Sequence, residues 1–182
     1  LMNDTVAPNK TDMAALIGKD SKFVQEIIEN QKLNIEIAND NSPMQVVISG
    51  EKKDILESKE IFLKNNLKKF VELNVSAAFH SKHMSSAQEK LSFEIDKLNF
   101  LENNIKIISN FDANSYSNTK LIRENLQKQM ANKVNWTQSI KKLEQIGKIK
   151  IVEIGPGKVL GGLINRISKN FVIKTINNIS DI

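Results

Sequence analysis

Asn74-Val75-Ser76-Ala77-Ala78-Phe79-His80-Ser81-Lys82-His83-Met84 divides the sequence into two parts of different pattern, and both histidines of the 182 residues lie inside it. It follows a run with strand character, Phe70 to Val75, and precedes one in which Met84, Ala87, Leu91 and Ile95 recur at helical spacing. The stretch is therefore a strand-to-helix turn, where a side chain can be held rigidly at a pocket edge. His80 is its centre. Histidine exchanges protons near neutral pH, so an imidazole fixed there can take a proton from a hydroxyl nucleophile and return it to a leaving group. Position alone favours the plainer reading, a histidine merely hydrogen-bonded at an element boundary.

Upstream of the turn, Met13 to Ile17 is a short apolar run that ends at Gly18, a strand and its turn. Val24, Ile27 and Ile28 form a helical stripe from Asp20 to Gln31, and Leu33 to Ala38 alternates as a strand does. Asn39-Asp40-Asn41-Ser42-Pro43 reads as a turn, and Gln45 to Ser49 as the next strand, closed by Gly50. Ile55, Phe62 and Leu63 mark the buried face of a helix from Lys52 to Asn66, and Lys69 to Val75 is a further strand. The order β-α-β-β-α-β is the ferredoxin-like plan. That plan hosts binding, regulatory and catalytic functions alike, so it sets a boundary near Val75 without deciding a role.

Downstream, longer helices alternate with single strands. The helix from Met84 to Leu98 leads through Asn103-Asn104 to Ile105-Lys106-Ile107-Ile108, which reads as a buried strand, and Phe111 to Asn118 reads as a loop. Helices are expected from Thr119 to Met130, with Ile122, Leu126 and Met130 buried, and from Thr137 to Ile146, stopped by Gly147. Ile149 to Ile154 is a strand, Gly155-Pro156-Gly157 a tight turn, Val159 to Ile167 a helix and Phe171 to Thr175 a last strand. These strands are continuously apolar, as in a parallel α/β sheet covered on both faces. They are too few to close such a sheet, so the expectation is that this half completes one whose other strands lie before Leu1, and that alone it exposes apolar faces and is poorly soluble.

Composition narrows the classes. There is no cysteine, hence no disulfide, thiolate nucleophile or cysteine-ligated metal, a usage that suits the cytoplasm. No apolar stretch approaches membrane-spanning length. The 26 Lys and Arg exceed the 21 Asp and Glu by 5, but the positive charges are interleaved with acidic ones, and a single Trp and a single Tyr offer little to stack bases on. Nucleic acid and membrane are thus not expected partners. An acidic protein is compatible with the lysine surplus.

Each candidate motif has a plainer alternative. His80 and His83 lack convincing third and fourth ligands nearby, so no metal site is expected. Gly155-Pro156-Gly157-Lys158 lies between a strand and a helix like a phosphate cradle, but it lacks P-loop spacing and reads better as a backbone turn. The amides Asn39 and Asn41 could orient a ligand, although capping the turn is their commoner use. No Gly-x-Ser-x-Gly elbow occurs, and Ser76 and Ser81 are too close to His80 in sequence to be held in line with its ring. If His80 is a base, its nucleophile lies elsewhere.

Four blocks, in order, resemble one family. Asn41-Ser42-Pro43-x-Gln45-Val46-Val47-Ile48-x-Gly50, Val75-Ser76-x-x-Phe79-His80-Ser81-x-x-Met84, Gln129-Met130-x-x-x-Val134-x-Trp136-Thr137-x-Ser139-Ile140 and Glu153-x-Gly155-Pro156-Gly157-Lys158-Val159-Leu160 are similar to the malonyl-CoA:acyl carrier protein transacylases of fatty acid synthesis. The resemblance implies an α/β fold in which a ferredoxin-like subdomain, here 12–75 after an incoming segment 1–11, is followed by the carboxyl-terminal part of an α/β-hydrolase-like acyltransferase subdomain, here 76–182. It implies that a serine takes malonyl from coenzyme A as an ester and passes it to the phosphopantetheine thiol of acyl carrier protein, with no tightly bound cofactor. The family's histidine falls on His80, and the backbone carbonyl that orients it falls on Gln129.

The resemblance also implies that the nucleophile elbow, a carboxylate-binding arginine and an oxyanion-hole glutamine belong upstream of Leu1. The chain taken alone is then an inactive fragment of a cytoplasmic enzyme that is monomeric when full length. Lys82 and His83 depart from the family's commoner residues. The alternatives are a polyketide-type acyltransferase domain and a non-catalytic ferredoxin-like binding module.

Overall fold

A computed structural model describes residues 10–102, 104–147 and 149–182. The incoming segment expected at 1–11 lies outside the described residues as far as residue 9, as does Asn103.

Strand β1 (Thr11–Ile17) is followed by α1 (Ser21–Asn30), β2 (Ile35–Ser42), β3 (Gln45–Glu51), α2 (Lys52–Lys64) and β4 (Lys69–Glu72). The four strands form one antiparallel sheet in the order β2-β3-β1-β4, which is the ferredoxin-like topology. Asp20 starts α1 by accepting a bond from Phe23 N–H at 2.9 Å, satisfying a donor that a helix leaves open at its first turn. Because strand side chains alternate, Ala14, Leu16, Val46 and Ile48 face α1 and α2 and pack with Val24, Ile55 and Phe62. Met13, Ala15, Ala38 and Val47 face the other way and pack with Val75 and Phe79. The sheet is therefore buried on both faces, which is why β1 carries an unbroken apolar run. Its second face is the floor on which the histidine turn rests.

The expected turn at Asn39–Pro43 is corrected. Strand β2 runs on to Ser42 through two register irregularities, so Asn39 and Asn41 lie in a strand and only Pro43 and Met44 turn the chain. Tertiary contact overrides the turn preference of these residues: Asp40 N–H donates to Val134 O at 2.9 Å, and Val134 N–H to Ala38 O at 2.8 Å. Strand β4 ends at Glu72, short of Val75: Leu73 N–H still bonds to Met13 O on β1, and the chain then leaves the ladder.

After the histidine turn come a single 3-10 turn (Lys82–Met84), α3 (Ser85–Asp96), β5 (Ile107–Ile108), β6 (Ser115–Tyr116), α4 (Thr119–Gln127), α5 (Trp136–Gln145), β7 (Lys150–Ile154), α6 (Val159–Ile167) and β8 (Val172–Ile176). Strands β7 and β8 pair in parallel. The buried strand expected at Ile105–Ile108 is corrected to two residues. Ile105 is 73% exposed and Ile107 44%, and Ile107 and Ile108 pair antiparallel with β6, inside the segment expected to be a loop. Helix α4 ends at Gln127, and Leu126 is exposed on it where burial was expected. The apolar residues of β7 and β8 remain in water on one face, with Ile154 79% and Val172 63% exposed. Parallel strands are ordinarily covered on both faces, and among the described residues nothing covers this one.

Candidate active site

The turn that carries His80 is tied down from both sides. Ala78 N–H donates to Thr11 Oγ1 on β1 at 3.0 Å, and Ser81 Oγ donates to Ala78 O at 2.7 Å. Met84, with no exposed surface, anchors the start of α3 in a cluster with Ala77, Ala87 and Met130. Between these anchors His80 takes φ +55°, a left-handed backbone conformation that costs a non-glycine residue on the order of 1 kcal/mol. Its backbone N–H donates to Met130 O at 3.2 Å, and its ring Nδ1 lies 3.0 Å from Gln129 O. The structure thus brings together His80 and Gln129, 49 residues apart.

A carbonyl oxygen only accepts, so the ring nitrogen facing it carries the hydrogen. The neutral imidazole is then the Nδ1–H tautomer, with its lone pair on Nε2, the nitrogen that can receive a proton. Gln129 supplies a main-chain atom, so its side-chain identity does not matter to this bond. Gln129 also lines a cavity of about 280 Å³, together with Ile107, Ile108, Tyr116, Ile122 and Leu126. Tyr116 donates to Asp112 at 2.5 Å beside it. Partial burial pushes the Asp112 carboxyl up, but the hydrogen bonds from Tyr116 and Asn114 outweigh it and hold the group below the usual carboxylate range.

Asn39 and Asn41 stand in β2. Asn39 forms a parallel bridge with Val134, on the segment entering α5. The residue between them makes the tie that holds these elements together. Asp40 is 5% exposed, and both of its oxygens are used: Thr137 Oγ1 donates to Oδ1 at 2.6 Å and Ser21 Oγ to Oδ2 at 2.9 Å. It joins β2, α1 and α5, and the only hint of it was an acid inside an amide-rich stretch. Lys82 serves a rim tie: its N–H donates to Glu36 Oε2 at 3.2 Å and its Nζ to Asn34 Oδ1 at 3.0 Å. At Gly155–Lys158 the Glu153 carboxylate occupies the start of α6, accepting from Leu160 N–H at 2.9 Å and Gly161 N–H at 2.8 Å. A phosphate is therefore not invited there, and the backbone-turn reading of this motif fits. Among the described residues no three His, Asp or Glu side chains converge as a metal site would require. Nor is any helix among them long and apolar enough to cross a membrane.

The α/β fold is that of solved malonyl-transacylases. The structure superposes at a TM-score of 0.92 and 28% identity on a malonyl-transacylase solved in complex with its type II polyketide acyl carrier protein, covering 99% of this chain and 59% of that one. By sequence the chain is homologous to the malonyl CoA-acyl carrier protein transacylases: it is 34% identical over 178 residues to that of Bacillus subtilis, covering 96% of this chain. It is also 43% identical over 157 residues to the polyketide biosynthesis protein PksE of the same organism, covering 85% of this chain. The chain spans 56% of the length of the first of these relatives and 20% of the second. No family model matches it.

Proposed function

We propose that the chain supplies the histidine of a malonyl-CoA:acyl carrier protein transacylase whose nucleophilic serine lies outside these 182 residues. The observation that supports this reading is the bond between His80 Nδ1 and Gln129 O, which leaves Nε2 as the proton acceptor. In the first half-reaction the serine oxygen attacks the malonyl thioester carbonyl while Nε2 takes the serine proton. The C–S bond then breaks, and coenzyme A leaves with the proton returned from Nε2. In the second, the phosphopantetheine thiol of the carrier protein gives its proton to Nε2 and attacks the malonyl ester. The ester C–O bond breaks and the serine recovers the proton. Gln129 O holds the ring in place and stabilises the imidazolium formed in each half, the part that a carboxylate plays in other hydroxyl-based triads. Such acid–base assistance contributes about 10² to 10⁴ in rate.

A second reading keeps the chemistry and changes the pathway. The higher identity to a polyketide biosynthesis protein than to the malonyl CoA-acyl carrier protein transacylase of the same organism favours a carrier of polyketide synthesis as the acceptor. The test is to incubate labelled malonyl-CoA with this chain alone and with the complete polypeptide that carries the serine. Label retained covalently by the complete polypeptide and discharged to a carrier protein, with none retained by the chain alone, supports the proposal. Label fixed by the chain alone contradicts it, and preference between the two carrier types separates the readings.

A further inference from the structure

The carbonyls that hold His80 are themselves held by α3. Gln88, on that helix and half-buried, accepts a hydrogen bond at its Oε1 from Ala131 N–H at 2.9 Å. Ala131 N–H belongs to the same peptide unit as Met130 C=O, and that carbonyl accepts from His80 N–H at 3.2 Å. A trans peptide is planar, with its N–H and C=O pointing in opposite directions, so fixing one end fixes the other. One peptide plane is thus gripped from both sides by residues eight apart in sequence. The next plane back, joined at Met130 Cα, carries the Gln129 oxygen at 3.0 Å from the ring.

The loop is closed: His80 leads through the 3-10 turn into α3, α3 presents Gln88, Gln88 holds Ala131, and the two preceding carbonyls return to His80. Met84, Ala87 and Met130 pack together in one buried cluster, with Ala131 against it. We propose that Gln88 is a positioning residue that sets the direction of the Met130 and Gln129 carbonyls, and through them the Nδ1–H tautomer and ring orientation of His80. Its bearing on acyl transfer rests on the function proposed above, but its effect on the ring is readable without turnover.

The readout is the tautomer of His80 in this chain. With His83→Gln in place only one imidazole remains, and long-range proton–nitrogen correlation above the ring's titration range separates Nδ1–H from Nε2–H. The parent is expected in the Nδ1–H form. Gln88→Ala and the bulkier Gln88→Leu should shift the ratio at least threefold toward Nε2–H, whereas Gln88→Glu, which keeps an acceptor oxygen, should restore the parent ratio. The proposal is overturned by an unchanged ratio in the folded apolar variants, by Gln88→Glu moving as far as Gln88→Ala, or by a parent already in the Nε2–H form. Unfolding of both apolar variants while Gln88→Glu folds would assign the side chain to stability and overturn it too. A tautomer that responds as expected in a complete enzyme unable to transfer malonyl would leave the positioning intact and remove the reaction.

Discussion

His80 Nδ1 and Gln129 O, 49 residues apart, stand 3.0 Å from each other, and this bond decides which ring nitrogen is free for chemistry. The ferredoxin-like sheet is the floor that makes the geometry repeatable: Thr11 holds the histidine turn to β1, and Val134 holds the downstream segment to β2.

Asp40 is the polar joint between that sheet and α5. Its carboxylate is buried, and a hydrogen bond to a charged group is worth about 1.5 to 3 kcal/mol. Thr137→Val removes the donor to Oδ1 and should lower stability by about 2 kcal/mol in urea unfolding, with Asp40→Ala lowering it further. A change below about 0.5 kcal/mol, the range of an ordinary surface substitution, would show the joint to be ornamental.

Core and surface aromatics should part company. Phe62 has no exposed surface and lies at the centre of the α1–α2 face, so Phe62→Ala should cost about 3 to 5 kcal/mol. Phe93, 65% exposed on α3, should lose less than about 1 kcal/mol on the same change. Comparable midpoints for the two variants would contradict this packing.

The uncovered face of β7 and β8 should drive self-association of the chain. Replacing Ile154 and Val172 with Lys should reduce light scattering at a given concentration, while the unfolding free energy changes by no more than about 0.5 kcal/mol per site. Unchanged scattering would place the sticky surface elsewhere.

Acid should loosen the junction of α5 with the segment before β8. Glu144 accepts bonds from Ser168 Oγ and Asn170 Nδ2, each at 2.6 Å, and these hold its carboxyl below the usual range. A pKa lowered by folding means stabilisation that is present above the unfolded value, about 4.3 for Glu, and lost as pH falls through the folded one. The difference in melting temperature between the parent and Glu144→Gln should therefore be largest near pH 7 and shrink toward pH 3. A gap independent of pH would assign those bonds no ionic character.

What was legible in the sequence was the part dominated by periodicity. The β-α-β-β-α-β order could be read because Val24, Ile27 and Ile28, and then Ile55 and Phe62, repeat at helical spacing between short apolar runs. His80 stood out through the scarcity of histidine. Gln129 came from resemblance alone, since a main-chain acceptor has no side-chain signature. The tertiary overrides were illegible: local preference makes Asn39 and Asn41 turn residues, and only Val134 docking on β2 extends the strand through them. Gln88 was invisible for the same reason. A glutamine on a helix looks solvated until the peptide it holds is known. The exposed strands followed from counting: continuous apolar runs without enough strands to cover them.

The most direct measurement is malonyl transfer from coenzyme A to acyl carrier protein by the complete polypeptide, with and without His80→Ala. The alanine variant, still folded, should lose at least about a hundredfold in kcat/KM if His80 carries the proton in each half-reaction. Transfer at an undiminished rate would contradict that role.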